Sequence, residues 1–297
     1  MDKATSYVGC GAVLLALLLV SFARPCHSSL YRPPPVMVYH AGEVLDGAVP
    51  VSVLYYGAFS PHQKAIIADF LLSLSPRGRQ PQHHGFGTPG PAPAPSVARW
   101  WETVDRYVRK AGREPPRVLL ASQVHDEACS LGKTLSRVQV ERLASRLGVA
   151  PGGVAVVLTA ADVAVEGQCG SACGAHGASA PGERRMHVPG RGRGETLRAP
   201  NGDVGIDGML INLAALLAGA VTNPYGHGYF QGDPGAPVEV AAACPGVFGR
   251  GAYPGYPGAV RLDTATGAGF NVVGRNGRKY LVPALVDPDT NSCIIMT

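Results

Sequence analysis

The chain has 297 residues, a net charge of +5, only 16% charged residues, and 39 glycines beside 26 prolines. A hydrophobic content of 46% supplies an ample core and excludes a charge-rich disordered chain. So many helix breakers exclude a long coiled coil, and the missing Gly-X-Y period excludes collagen, leaving a loop-rich globular protein.

In chain order, Lys3 precedes an apolar run at 8–22, VGCGAVLLALLLVSF, too short for a convincing membrane span. It reads as a cleaved signal peptide, 1–28, with cleavage after Ala23 or Ser28. The expected destination is outside the cell, with no membrane contact after cleavage. Residues 29–297 form the expected domain. Strands are predicted at 36–40 and 51–56, rich in Val and Tyr. Ser60-Pro61 opens a helix to Leu74 with Ile66, Ile67, Phe70, Leu71 and Leu74 on one stripe. A Pro/Gly linker fills 76–96, and its His83-His84 pair reads as solvent-exposed.

A helix over 97–110 carries Trp100 and Trp101, and a strand follows at 117–124. Ser136 and Gln139 form a capping-box signature for a helix to Leu147. The Val-rich stretch 153–165 predicts a buried strand. Asp207 is the expected cap of a helix over 208–221, apolar almost all round with Asn212 its only polar interior residue, so it belongs at the domain centre. A short helix near 238–244 and strands around the turn Asn276-Gly277 complete the chain. The fold class is mixed α and β, α+β or α/β, in a single globular domain around that buried helix.

Secretion makes disulfides permissible. Cys10 lies in the leader and Cys26 survives only cleavage after Ala23, so the mature chain keeps five or six cysteines. Cys169, Cys173, Cys244 and Cys293 are the candidates, and a Cys244–Cys293 bond would tie down the C-terminal tail, with connectivity otherwise open. Cys129 remains a possible free thiol. No N-x-[ST] sequon occurs.

Cys169, Cys173 and His176 could serve zinc, but a fourth ligand is missing and oxidised sulfur is favoured. Asn201, Asp203 and Asp207 resemble the start of a calcium loop, yet Asn212 stands where the closing glutamate belongs, and a turn ending in a helix cap is the plainer reading. No G-x-S-x-G, P-loop, dinucleotide or H-E-x-x-H motif is present. The expectation is no catalytic residue, no metal and no cofactor. Basic surpluses at 99–117 and 184–198 lack aromatic interleaving and read as solvated faces, so no nucleic-acid partner is expected.

Several strings carry a family resemblance: YYGAFSPHQKAIIADFLLSL, APAPSVARWWETVDRYV, VLTAADVAVEGQCGSACGAHG, APNGDVGIDGMLINLAALLAGAVTNPYGHGYFQG and CPGVFGRGAYPGYPG. They resemble the plant phosphate-induced, or EXORDIUM-like, family over nearly all the chain after the leader. The resemblance implies a secreted apoplastic or cell-wall protein linked to hormone-dependent, brassinosteroid-related cell expansion, and brings no known reaction. The chain departs from it at 178–198, which is short, basic and cysteine-free, and at Cys129, where members carry tyrosine. Cys169 and Cys173 then pair with each other, pair elsewhere or stay reduced. A fainter likeness links AGAVTNPYGHGYFQG to secreted zinc-peptidase-like proteins, whose ligand His, catalytic Glu and second ligand would fall on Ala215, Leu216 and Gly219. None of these binds zinc, so that scaffold would be degenerate.

Three functional readings follow. The first is a non-catalytic protein that binds cell-wall polysaccharide or an extracellular protein. The second is a hydrolase whose His176, His227 and Asp203 converge. The third is a carbohydrate-binding module whose ligand surface draws on Tyr225, His227, Tyr229, Phe230, Tyr253 and Tyr256, provided the rings are exposed.

Overall fold

Val, Leu and Tyr fill 51–56 and 153–159 with scarcely a polar residue, the composition of parallel strands covered on both faces. A computed structural model, describing residues 34–75, 95–166, 175–180, 183–189 and 198–296, puts both runs in the middle of a five-stranded sheet. Chain order gives β1 (Val38–Tyr39), β2 (Ala48–Tyr56), α1 (Pro61–Leu74), α2 (Val97–Lys110), β3 (Arg117–Asp126) and β4 (Thr134–Leu135). Next come α3 (Arg137–Ser145), β5 (Gly153–Thr159), β6 (Ala164–Val165), β7 (Ala175–Ala180), β8 (Glu183–Pro189), α4 (Val204–Thr222) and β9 (Tyr229–Phe230). The sheet order is β3-β2-β5-β8-β7, parallel except for β7 against β8. Short two-stranded ladders hold the rest. The predicted leader, most of the linker, Cys169 and Cys173 lie outside the described residues.

The predicted mixed α and β class holds, with residues 35–297 forming one compact unit. Local signals account for the helix starts. Ser60 and Ser136 each close a full capping box with the glutamine three residues on. Three expectations need correction. The stretch 153–165 is not one strand: β5 ends at Thr159, and Val163 N–H donates to Ala160 O in a turn that delivers β6 to β4. The central helix begins at Val204, a turn early, because Asp203 and not Asp207 accepts the exposed N–H of Ile206. Asp207 is engaged instead by Asn201, through backbone N–H and side-chain amide. Around 238–244 there is no helix, only turns, with Ala243 N–H donating to Glu239 O.

The core is continuous around α4, whose Met209, Leu210, Leu213, Leu217 and Val221 are buried. Although α4 is long and apolar enough to cross a membrane, most of it is buried in this core. Trp100, Trp101 and Tyr107 bring α2 against it. Asp105, on the same helix, holds a buried oxygen that lacks a hydrogen-bond partner among the described residues. Burial pushes its carboxyl up to about 6, with Arg109 opposing and Glu102 reinforcing. Since the folded state then holds its proton more tightly than the unfolded chain, stability falls as pH rises from the unfolded carboxylate range through about 6. Asp105→Asn is therefore expected to raise the melting temperature at neutral pH and to leave it nearly unchanged in acid. A thermal melt at both pH values checks this, and equal shifts at both would refute it.

Candidate functional site

Beyond α4 the chain must turn sharply, and the residues that make the turn also build a cleft. Asn223 caps the helix, its N–H donating to Gly219 O at 2.7 Å. Its side-chain oxygen accepts from Gly228 N–H at 2.9 Å, and its amide donates to Glu239 Oε1 at 2.9 Å. The other carboxylate oxygen, Glu239 Oε2, lies 2.6 Å from His176 Nε2, presented by the edge strand β7. Both side chains are mostly buried, His176 14% and Glu239 16% exposed.

This pair sits on the helix because residue 219 is glycine. A Cβ there would stand 2.1 Å from Glu239 Oε2 and 2.9 Å from His176 Nε2, inside contact distance of both. A cavity of about 550 Å³ opens beside the pair, lined by His176, Asn223, Pro224, Tyr225, Pro237 and Glu239. Its chemistry is a carboxylate, an imidazole, an amide and a phenol. Such a wall suits a hydroxyl-rich ligand, offering carboxylate acceptors and a ring face together. The carboxylate also holds the imidazole in one orientation, as an anchored His requires.

The three residues proposed for a hydrolase do not meet. His176 lies by the C-terminal end of α4, whereas Asp203 caps its N-terminus, a 19-residue helix away, roughly 27 Å. Asp203 there accepts from Ile206 N–H and Gln63 Nε2. His227 is exposed on the turn, and its backbone oxygen accepts from Gly42 N–H. Asn201, Asp203 and Asp207 form a capped turn, and among the described residues no three His, Cys, Asp or Glu side chains gather in one group. Ala215 and Leu216 pack against the core, and Gly219 faces the Glu239 carboxylate.

The aromatic surface divides. Tyr229 and Phe230 are buried, stacking on Tyr39 (centroids 4.6 Å) and His40 (3.8 Å) across the β1–β9 ladder. They are core, not ligand surface, because β9 has no solvent-facing side. Tyr225 is half-buried at the cleft. Tyr253 (65% exposed) and Tyr256 (40%) stand out together, ring centroids 5.2 Å apart, on a turn closed by reciprocal backbone bonds.

Cys244 and Cys293 form the disulfide suggested by their positions. Cys129 is a buried free thiol, and burial pushes its pKa up, which disfavours the reactive thiolate. The sequence reading missed Glu239. Its one signal was a lone charge within PVEVAAAC, otherwise an apolar stretch.

Comparison with known proteins places the chain in a family. The model for the phosphate-induced protein 1 conserved region matches residues 37–190 and 185–296, so the chain belongs to that family. It is 42% identical to Protein EXORDIUM of Arabidopsis thaliana over 313 residues, spanning 96% of this chain and 97% of that one. Identity to Protein PHOSPHATE-INDUCED 1 of Nicotiana tabacum is also 42%, over 315 residues, 95% and 97% of the two chains. A more distant relative, Protein EXORDIUM-like 5 of Arabidopsis thaliana, is 32% identical over 290 residues, 86% of this chain and 76% of that one. No solved structure matches.

Proposed function

We propose that the chain is a secreted protein of the apoplast or cell wall that supports hormone-dependent cell expansion by binding a partner, not by turning over a substrate. Secretion is supported by the apolar leader at 8–22 and by the Cys244–Cys293 bond, which suits an oxidising compartment. The observation that carries binding over catalysis is the closure of the cleft's polar groups on one another. His176 is held by Glu239, Glu239 by Asn223, and Asn223 by the backbone of Gly228. A dyad so arranged presents a fixed polar wall, with no nucleophilic hydroxyl of Ser or Thr and no thiol among the cavity's described lining residues. Tyr253 and Tyr256 add an exposed aromatic pair on which a sugar face could stack.

Two measurements test this. The full chain, tagged at its C-terminus and expressed in plant cells, is expected in the extracellular wash with a mature N-terminus after residue 23 or 28; retention inside the cell overturns secretion. The purified protein, incubated with a broad peptide and glycan panel, is expected to release no product. Robust turnover that disappears in Glu239→Gln would overturn the binding reading. In the same variant the carboxylate becomes an amide and loses one acceptor of the His176–Asn223 bridge, a change expected to cost about 1–3 kcal/mol of stability.

A further inference from the structure

At the other end of α4, a cavity of about 780 Å³ lies between the loop that precedes the helix and the hairpin around Asn276-Gly277. Its wall brings Arg198 together with Arg278 and Lys279, some 80 residues further along the chain, with Asp263 the only acid among the described lining residues. The charges do not cancel. Lys279 Nζ bonds Asp263 Oδ2 at 2.6 Å, and Arg278 Nε bonds Asp69 Oδ2 at 3.0 Å from behind the wall. Arg198 has no carboxylate partner among the described residues: its Nη1 donates to the neutral carbonyl of Thr266 at 2.8 Å. Asp203 and Asp207 are close in sequence but do not line the cavity, being held by helix and loop donors. Among the described lining residues three cations face one acid, and Arg198, exposed at the cavity wall, has no carboxylate partner there.

The rest of the wall indicates what carries the balancing negative charge. A bare inorganic ion would occupy a small part of 780 Å³. Asn276 and Thr266 add an amide and a hydroxyl suited to hydroxyls. Arg278 is engaged by Asp69 at Nε and by Asn201 at Nη1, whereas Arg198 has a single carbonyl contact among the described residues. A planar guanidinium with free N–H groups matches a carboxylate in two parallel bonds. We propose that this cavity binds an acidic sugar, a uronate unit of a polysaccharide, with Arg198 taking the carboxylate and Asn276 and Thr266 taking ring hydroxyls. This rests on the reading of the chain as a binding protein of the cell wall and names its ligand class.

The test is calorimetric titration of the secreted full chain with tri-galacturonate at low salt, its fully methyl-esterified counterpart, and inorganic phosphate. Expected are heat with the acidic trimer, its loss at raised salt as surface charge is screened, and none with the ester. Arg198→Gln is expected to weaken binding by about tenfold or more, and Arg198→Lys to recover part of it. Arg198 makes one carbonyl bond, so both variants should melt with the wild type. Absence of binding by the wild type, unchanged affinity in Arg198→Gln, or phosphate binding as tightly as the trimer each overturns the proposal. Such a failure leaves the wider reading standing, because secretion and lack of turnover are measured separately.

Discussion

Replacing Trp100 with alanine is expected to cost about 3–5 kcal/mol of folding free energy. The ring is 1% exposed and sits between α4 and the C-terminal segment. Its Nε1–H also donates to Pro283 O at 2.8 Å, a carbonyl with no strand to pair in. That bond begins a seam along α2. Tyr107 OH donates to Val286 O at 2.9 Å, Arg106 pairs with Asp287 and Asp289, and Lys110 donates to Pro288 O. Removing Trp100 therefore empties core volume and strips one buried carbonyl, and both effects fall on the attachment of residues 281–288. Trp100→Phe separates them. It keeps much of the packing and is expected to cost about 1–3 kcal/mol, mainly through the unpaired Pro283 oxygen. Denaturant titration of both variants gives the ordering, and hydrogen exchange should show amides of 281–288 losing protection first. Equal small losses in the two variants would mean that α2 does not anchor the tail.

How much of this was legible beforehand depended on where the physical cause lay. The helices announced themselves because their causes are local. Ser60-Pro61-His62-Gln63 and Ser136 to Gln139 carry their own caps, and Trp100, Val104 and Tyr107 recur at helical spacing. The buried strands β2 and β5 were readable as apolar runs, but their ends were not. Nothing in TAADVAV says that Thr159 is the last sheet residue, because the chain leaves the sheet in the turn where Val163 N–H reaches Ala160 O. The start of α4 misled for a related reason. Asp203 and Asp207 are both good caps by type, and the choice fell to Asn201, which engages Asp207 from outside the helix.

The cleft was harder. His176, Gly219, Asn223 and Glu239 come from an edge strand, a helix, a cap and a loop, so no spacing rule links them. Gly219 looked like a defect in a helix when read against a ligand-bearing pattern. In the fold it is the opening that admits a carboxylate. The aromatic residues could be named from sequence but not sorted, since Tyr229 and Tyr253 differ only in whether β1 lies across them. The basic cavity escaped notice because Arg198 and Lys279 meet only once the chain has folded.

Reduction of the Cys244–Cys293 bond carries the second large expected effect. The bond closes a loop with a sequence separation of 49 residues, for which the lost freedom of the unfolded chain corresponds to about 4 kcal/mol. The loop contains most of the turn-rich C-terminal region, including the exposed Tyr253–Tyr256 pair and the hairpin that carries Arg278 and Lys279. In fastening that region the bond adds to the α2 seam at 283–289 and to the Arg278–Asp69 pair. Around the bond lies a minor core of Ala243, Cys244, Ala284 and Val286, too small to replace it. The double variant Cys244→Ala, Cys293→Ala is the cleaner test, since serine would bury a hydroxyl where Cys244 is 1% exposed. Its unfolding midpoint should match that of the wild type under strong reductant, and both should lie well below the oxidised protein. Cys129 does not confuse the result, because a buried thiol whose pKa is raised by burial reacts slowly. If reduction left the midpoint unchanged, the bond would be dispensable and its support for an oxidising compartment would fall with it. If the midpoint drops as expected, the fold depends on an oxidised Cys244–Cys293 bond and is less stable under reducing conditions.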